Sequence, residues 1–351
     1  MNHGIRLMKN RIKIKNRYVG KEYEPLVIAE IGINHGGSFS KAKQMVRNAF
    51  NSDAECVKFQ YHILEEEMIK NDIVPGNANE SIWEIIKRCS LTDEEELKLK
   101  TFVEELGMIY LSTPFSKKAA DKLNEMGVSA FKIGSGECNN YPLVKYIASL
   151  GKPIILSTGM NDIGSISRSV DIIERAGIEY ALLHTTSMYP TPYRNVRLGA
   201  LREIQTHFPK AVVGLSDHSF GIYSCLAAVA LGASILEKHF TSDKNWSGSD
   251  ISISIDPTEL KQLITGSKAI FQSLGGTKTI LPEEKLTITF AYASVVAIRD
   301  IKKGELLTED NVWVKRPGTG QILAKDYSKV LNRKASVDIK KDDQLKWDMI
   351  K

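Results

Sequence analysis

Eight short apolar runs lie in the first two-thirds of the chain, and each ends in polar or ionisable residues. Most of the segments between them have the length and apolar periodicity of an amphipathic helix. Near-continuous apolar strands that alternate with helices predict a parallel sheet buried on both faces. Eight such units predict a closed (β/α)8 TIM barrel, an α/β fold. The runs are residues 26–32, 56–60, 108–114, 130–136, 153–159, 180–186, 212–218 and 235–241.

Changes in this pattern predict the domain boundaries. Residues 11–15 alternate charged and apolar side chains, which predicts a β-hairpin ahead of the barrel. Asp256 and Pro257 suit the N-cap and first position of the last barrel helix, and Gly275-Gly276 suits its end. Beyond it, short strands and turns predict a small β-rich domain. The predicted segments are an N-terminal extension over 1–24, a TIM-barrel catalytic domain over 25–275, a linker over 276–288 and the small domain over 289–351.

The small domain contains a weak internal repeat. Residues 300–306 (DIKKGEL) are echoed by residues 338–345 (DIKKDDQL), and each copy reads as a strand, a turn and then a short helical turn. Two copies predict a pseudo-twofold axis within this domain. Chance similarity between two lysine-rich turns is the alternative.

Composition and charge are those of an ordinary globular enzyme. The 351 residues are 42% hydrophobic and 25% charged, with a net charge of +5. Much of the positive excess lies in residues 1–17, which alone are weak evidence for a nucleic-acid partner. No apolar segment follows this basic stretch, and residues 225–236 are too short to span a bilayer, so we expect neither a signal peptide nor a membrane partner. Four cysteines without C-x-x-C spacing predict a reduced, cytoplasmic setting.

Two histidines at the ends of neighbouring predicted strands form a candidate metal site. His218 ends the seventh run and His239 lies near the end of the eighth, where barrel enzymes place their chemistry. Two imidazoles with oxygen ligands suit a divalent ion, Mn²⁺ first, with Mg²⁺ or Co²⁺ as alternatives. Histidines that only pack and form hydrogen bonds are the competing interpretation. We favour a metal because Asp217 and Glu237 lie beside them.

Lysines and hydroxyls at other strand ends form a candidate anion site. A lysine in a buried strand needs a partner, and ammonium groups beside hydroxyls suit a phosphate. The chain has no Walker-type loop, so a small phosphorylated metabolite is favoured over ATP or NAD. Alternatively, the hydroxyls only satisfy loop backbone groups. The candidate anion-binding residues are Lys58, Thr113, Lys132, Ser135, Ser157 and Ser216.

Carboxylates and a proline-stiffened loop complete the candidate chemistry. Glu30 and Glu137 could activate water or move a proton, or could only pair with the two lysines. The loop at 189–193 (YPTPY) is held rigid by two prolines and offers Tyr189 as an aromatic wall for a sugar. The long segment after the second strand predicts a loop at the catalytic face. We interpret its acidic triplet at 65–67 as a solvated surface.

These motifs resemble those of the sialic acid synthase (N-acetylneuraminate synthase) family, bacterial type. The similarity covers nearly the whole chain beyond residue 20, with the motifs in the family's order and spacing. The carboxyl-terminal KRPG at 315–318 resembles the antifreeze-like (SAF) domain of that family. The other matching motifs are EIGINH at 30–35, KFQ at 58–60, STPF at 112–115, KIGSGE at 132–137, LSTGM at 156–160, YPTP at 189–192, GLSDH at 214–218 and EKHF at 237–240.

The resemblance implies a metal-dependent transferase that forms a C–C bond. Phosphoenolpyruvate, open-chain N-acetylmannosamine and water would give N-acetylneuraminate and phosphate. A diacetamido-trideoxyhexose substrate, giving legionaminate or pseudaminate, is the first alternative. A non-catalytic sugar- or phosphate-binding barrel and a phosphosugar aldolase or isomerase are alternatives of other classes.

The resemblance also implies roles for residues. His218 and His239 would hold the metal, Glu30 would orient or deprotonate water, and the anion-binding residues would hold phosphoenolpyruvate. In a homodimer, the small domain of each chain would cover the partner's barrel. Ser187, Ser249 and Phe59 depart from the family pattern at positions expected on the sugar side. The implied sugar-binding residues are Gln60, Asn77, Glu137, Tyr189 and Asp250, with Arg316 and Phe290 contributed from the partner.

Overall fold

The structure is a computed structural model that describes residues 10–351. The first nine residues, which carry Arg6 and Lys9 of the basic stretch, lie outside the described residues. The chain divides into two compact units between Gly275 and Gly276. Each unit is described by itself below.

An eight-stranded parallel sheet forms the centre of the first unit. The strands are Leu26–Gly32 (β3), Cys56–Tyr61 (β4), Ile109–Pro114 (β5), Phe131–Ile133 (β6), Ile154–Ser157 (β7), Tyr180–Thr185 (β8), Val212–Asp217 (β9) and Ile235–His239 (β10), after the hairpin strands Arg11–Ile14 (β1) and Arg17–Gly20 (β2). The strand order is β5-β4-β3-β10-β9-β8-β7-β6, and β5 and β6 also lie side by side, so the sheet is nearly closed. The predicted TIM-barrel fold is therefore confirmed.

Helices between the strands cover the outside of the barrel. The last one begins as its sequence predicts, because the Asp256 side chain accepts from the Glu259 backbone N–H and Pro257 occupies the first turn. The helices of this unit are Phe39–Asn51 (α1), Leu64–Glu67 (α2), Ile82–Cys89 (α3), Asp93–Glu105 (α4), Lys117–Glu125 (α5), Tyr141–Ser149 (α6), Ile163–Arg175 (α7), Tyr193–Val196 (α8), Gly199–His207 (α9), Tyr223–Ala230 (α10) and Pro257–Ser273 (α11).

Inward-facing side chains change from apolar to polar along the strands. On β3, Leu26 and Ile28 belong to the interior apolar cluster, and Glu30, two residues further, is the next position on the same face. On β10, Ile235 is in this cluster and Glu237 follows. The hairpin β1–β2 packs beneath this layer. The interior cluster consists of Ile12, Ile14, Val19, Leu26, Ile28, Cys56, Ile109, Leu111, Ala130, Ile155, Ala181, Leu183, Val212 and Ile235.

The second unit has a short helix and one small antiparallel sheet around a separate core. The helix Lys285–Ala291 (α12) lies partly within the predicted linker, and strands Ser294–Ala297 (β11) and Val312–Lys315 (β12) pair antiparallel. Val295, Leu307 and other buried residues form the core.

The internal repeat appears as two segments that face each other in this unit. Ile301 and Ile339 exchange backbone hydrogen bonds of 2.9 Å in both directions. The Lys303 N–H donates to Asp338 at 2.8 Å, and the Lys341 N–H donates to Asp300 at 3.0 Å. These reciprocal contacts form the pseudo-twofold arrangement that the repeat predicts.

Two further observations concern the setting of the chain. All four cysteines are unpaired and buried. Within residues 10–351, no helix combines the length and the apolar character needed to cross a membrane.

Candidate active site

A cavity of about 450 Å³ opens at the carboxyl ends of the barrel strands. Most of the residues that the sequence assigns to the site line it together, because parallel strands bring their carboxyl ends to one rim. Those that line it are Glu30, Lys58, Gln60, Asn77, Thr113, Lys132, Ser135, Ser157, Tyr189, Ser216, His218, His239 and Asp250.

Two lysines and two glutamates form a buried charge cluster at the base of the cavity. Lys58 Nζ lies 2.8 Å from Glu30 Oε2 and 3.8 Å from Glu237 Oε2. Lys132 Nζ lies 3.6 Å from Glu237 Oε1, which also accepts from Ser216 Oγ at 3.0 Å. All four charged side chains are buried. The lysines therefore have the partners that burial demands.

Hydroxyls from two further strands, β5 and β7, and from the end of β6 extend this cluster. Lys58 donates to Thr113 Oγ1 at 3.2 Å, and Lys132 donates to Ser157 Oγ at 2.7 Å. Ser135 Oγ accepts from the backbone N–H of Gly159 at 3.0 Å. The cluster thus combines ammonium groups and hydroxyls, which are the donors that an anionic phosphate requires.

Burial controls the protonation of the cluster. It raises the pKa of Glu30 to about 7, against the opposing effect of Lys58. Burial lowers the pKa of Lys132 to about 8, although Glu237 opposes that change. For Lys58, Glu237 and Glu30 outweigh burial and raise the pKa. Glu30 can therefore exchange a proton near neutral pH, which suits a group that activates water.

The two histidines come together at the rim of the cavity. Their ring centroids are 5.4 Å apart, and Tyr189 stacks on His218 at 4.2 Å. His218 Nδ1 lies 2.9 Å from the carbonyl oxygen of Thr186. A carbonyl only accepts, so Nδ1 carries the proton and Nε2 keeps a free lone pair.

Both imidazoles are in the form that binds metal ions. Burial, helped by His239, lowers the pKa of His218 to about 4. Burial, helped by Lys58, lowers the pKa of His239 to about 3. Within residues 10–351, His239 Nδ1 is buried without a hydrogen-bond partner and lies 3.8 Å from Asp250 Oδ2. Such an unsatisfied buried nitrogen fits a site that receives a ligand.

Among the described residues, protein side chains alone do not form a complete metal cage. In the described part of the chain, no group of three or more His, Cys, Asp or Glu side chains has an arrangement that could hold an ion. The donor set of His218 and His239 fits a divalent cation whose other ligands are oxygens of substrate and water.

The predicted sugar-side residues are only partly brought together. Asn77 donates to the backbone carbonyl of Ser249 at 3.1 Å, next to Asp250. Glu137 does not line the cavity, and its carboxylate accepts from Asn140 at 2.6 Å. The other two predicted residues, Arg316 and Phe290, belong to the second unit.

Three expectations about this side need correction or extension. Phe59 faces away from the cavity and stacks on Tyr110 at 5.7 Å, so the expectation that it touches the sugar side is wrong. Ser187 and Ser249 do line the cavity. The acidic triplet is also not wholly solvated, because the side chain of Glu67 is only 3% exposed.

Several cavity residues were missed as site residues from the sequence. Glu237, at the centre of the charge cluster, is predicted only as a neighbour of the candidate metal-binding histidines, although its position at a strand end is a signal for a site residue. The segment between β4 and β5, which contains α2 and α3, supplies seven more, and its sequence pattern does not indicate that they face inward. They are His62, Glu67, Met68, Pro75, Ile82, Ile85 and Ile86.

This barrel and this site define the class of protein, an α/β-barrel enzyme whose cavity combines buried ammonium groups, carboxylates and hydroxyls. Comparison with known proteins agrees. The NeuB family matches residues 45–279, and the SAF domain matches residues 292–351. The chain belongs to the NeuB family of sugar-acid synthases, which condense phosphoenolpyruvate with sugars. The predicted resemblance is confirmed.

Individual relatives and a solved structure cover most of the chain. Uncharacterized protein MJ1065 of Methanocaldococcus jannaschii is 43% identical over 96% of this chain and 98% of its own length. The N,N'-diacetyllegionaminic acid synthase of Campylobacter jejuni is 38% identical over 92% and 98%. The crystal structure of the N-acetylneuraminic acid synthetase of Leptospira borgpetersenii matches with a TM-score of 0.72 and 32% identity, over 79% of this chain and 95% of that one.

Proposed function

We propose that this enzyme condenses phosphoenolpyruvate with open-chain N-acetylmannosamine and water to give N-acetylneuraminate and phosphate. The observation that carries the proposal is one cavity in which a buried lysine pair faces two neutral histidines. Membership of the NeuB family supports the same reaction class.

Phosphoenolpyruvate would bind at the charge cluster. Lys58 and Lys132 supply the positive charge for its anionic groups, and the surrounding hydroxyls supply neutral donors. Carbon 3 of the enol attacks the aldehyde carbon of the sugar and forms the new C–C bond. The hydroxyls assigned to this binding are those of Thr113, Ser135, Ser157 and Ser216.

The aldehyde oxygen becomes an alkoxide that takes up a proton, and water adds at carbon 2 to give a tetrahedral hemiketal phosphate. Cleavage of the bond between carbon 2 and the oxygen that bridges to phosphorus then releases phosphate and leaves a ketone at carbon 2. Glu30 faces the cavity with a pKa of about 7 and would accept the proton of that water. A divalent ion on His218 and His239, Mn²⁺ first, would supply Lewis-acid polarisation of the sugar aldehyde.

The remaining polar residues would hold the sugar. Separate segments of the chain supply these residues to the cavity lining: Gln60, Asn77, Tyr189 and Asp250. In a homodimer, the partner's second unit would add Arg316 and Phe290. Arg316 suits an acetamido carbonyl because its planar guanidinium donates in a fixed geometry.

A diacetamido-trideoxyhexose is the second candidate substrate. Met68, Ile82, Ile85 and Ile86 give one wall of the cavity a strongly apolar surface. A sugar with a methyl group at carbon 6 and a second acetamido methyl buries more apolar surface there than N-acetylmannosamine does. The 38% identity to a legionaminic acid synthase also favours this candidate.

Phosphate release from phosphoenolpyruvate tests the proposal. Purified enzyme with Mn²⁺ is offered N-acetylmannosamine or each diacetamido-trideoxyhexose, and products are identified by mass spectrometry. Turnover with N-acetylmannosamine supports the first candidate, and turnover with diacetamido sugars alone supports the second. Absence of sugar-dependent phosphate release with every sugar would refute the reaction.

A further inference from the structure

Two buried side chains beside the cavity have no role in the proposed reaction, yet they are bonded to a residue that does. His62 Nδ1 lies 2.9 and 3.0 Å from the two carboxylate oxygens of Glu67. His62 Nε2 lies 3.1 Å from Oε1 of Gln60, and Gln60 Nε2 donates to Glu30 Oε1 at 3.4 Å. The four side chains form one continuous chain of hydrogen bonds from Glu67 to Glu30.

The direction of these hydrogen bonds follows from the acceptors at both ends. In its ionised form, which the Lys58 ammonium at 2.8 Å favours, Glu30 faces Gln60 with a carboxylate oxygen that accepts. Gln60 must therefore turn its NH₂ group towards Glu30 and its carbonyl oxygen towards His62. His62 has to donate from Nε2 to that oxygen, and from Nδ1 to Glu67.

The imidazole itself is held in place by packing. Phe115 stacks on the His62 ring with centroids 4.5 Å apart and planes 10° apart. The His62 and Glu67 side chains are each 3% exposed, and Glu67 ends the short helix α2 directly after the loop that carries His62. The ring therefore cannot turn without losing both the stack and the carboxylate.

A glutamine side chain has nearly the same shape in its two amide orientations, so only its partners choose between them. The reversed amide would place Gln60 Oε1 against the Glu30 carboxylate and NH₂ against an N–H of His62. Both contacts would then be unfavourable. The orientation present leaves the second N–H of Gln60 available to the cavity that it lines.

We propose that His62 and Glu67 are positioning residues that fix the Gln60 amide, so that Gln60 recognises an acceptor oxygen of the sugar. This inference rests on the proposed function, in which Gln60 binds the sugar. His62 determines the direction of donation, and Glu67 holds its ring. The side chain introduced by Glu67→Gln can donate to Nδ1 and still leave a proton on Nε2, whereas Glu67→Ala leaves nothing to hold the ring.

Kinetics of phosphate release with matched variants test this. His62→Phe and Glu67→Ala should raise the KM of the sugar about tenfold, the effect of one lost hydrogen bond with an unsatisfied partner. The KM of phosphoenolpyruvate should stay within about twofold of wild type. Glu67→Gln should restore a KM near that of wild type. His207→Phe and Glu66→Ala, at exposed positions, are the controls. An equal rise in both KM values, or a Glu67→Gln variant as impaired as Glu67→Ala, would overturn the proposal.

A second measurement tests the proposal whether or not the purified enzyme turns over any of the sugars. NMR of enzyme with nitrogen-labelled histidine should show a proton on Nε2 of His62, with the His62→Phe variant assigning the signal. A bare Nε2 would contradict the proposal even if the enzyme is active. If no sugar gives turnover while Nε2 is protonated, the proposed function fails and the hydrogen-bond direction stands.

Discussion

Glu237 is expected to stabilise the ligand-free enzyme and to oppose the anion that binds there. Its carboxylate lies 3.6 Å from Lys132 and 3.8 Å from Lys58, and it accepts from Ser216 at 3.0 Å. Glu237→Gln keeps the shape of the side chain and removes its charge. Glu30, 2.8 Å from Lys58, then remains as the carboxylate partner of Lys58, and Lys132 loses its own.

The size of the effect follows from these distances and from burial. At such separations a charge pair is worth about 4 kcal/mol if the effective dielectric constant is about 20, and breaking a buried pair costs about 3–5 kcal/mol. Lys132 limits the loss, because burial already lowers its pKa to about 8 and it can release its proton near neutral pH. We therefore expect Glu237→Gln to lower the free energy of unfolding at pH 7 by about 2–3 kcal/mol.

Phosphoenolpyruvate should offset the stability that Glu237→Gln loses, because it supplies the negative charge that the variant lacks. Urea unfolding measures the stability of Glu237→Gln beside Glu203→Gln, a control at an exposed position on α9. Thermal unfolding with added phosphoenolpyruvate should show a larger upward shift for Glu237→Gln than for wild type. A stability within about 1 kcal/mol of wild type, or a smaller shift with phosphoenolpyruvate, would refute the reasoning.

Three further predictions test other parts of the molecule. Burial raises the pKa of Glu96 to about 7 against the opposing hydrogen bond from Tyr110, so its ionisation lowers the stability of the fold by up to about 3 kcal/mol as the pH rises from 4.5 through 7. In urea unfolding between pH 5 and 8, Glu96→Gln should therefore lose less stability than wild type, and equal losses would contradict this. His218→Ala should abolish phosphate release at controlled Mn²⁺ without changing the circular dichroism spectrum, and near-normal turnover would remove the metal proposal. Arg316→Ala should raise the sugar KM, and mixing it with His218→Ala should restore activity if the second unit acts on the partner's barrel; no restoration in demonstrated heterodimers would argue against action in trans.

The barrel and most of its cavity lining could be predicted because both follow from local patterns. Apolar runs of strand length mark the strands, and polar residues at their ends mark the catalytic rim. Lys58 and Lys132 stood out because a charge within an apolar strand needs a buried partner. His218 and His239 could be paired because their strands were expected to be neighbours, as the β9–β10 register shows.

The predictions that failed depend on which way a side chain points and on loop conformation. Phe59 lies between Lys58 and Gln60 in a lining motif, but successive strand residues face opposite sides, and Phe59 packs outside the barrel. Glu67 looked like one of three equivalent surface acids. Its carboxylate instead contacts the ring of His62, five residues earlier, and no periodicity of this segment indicates that contact.

Position within each strand, rather than the apolar run as a whole, specifies the site. Along β9 the inward positions fall on every second residue, and Ser216 and His218 both line the cavity. Gly214 shares that spacing, and a Cβ atom there would lie 2.6 Å from Leu183 and 2.8 Å from the Cβ of Ile235, both in the interior cluster. Space below the charge cluster is thus already filled by apolar side chains. The charged residues must lie at the top of the barrel, where a ligand can reach them, because the layers beneath have no room for them.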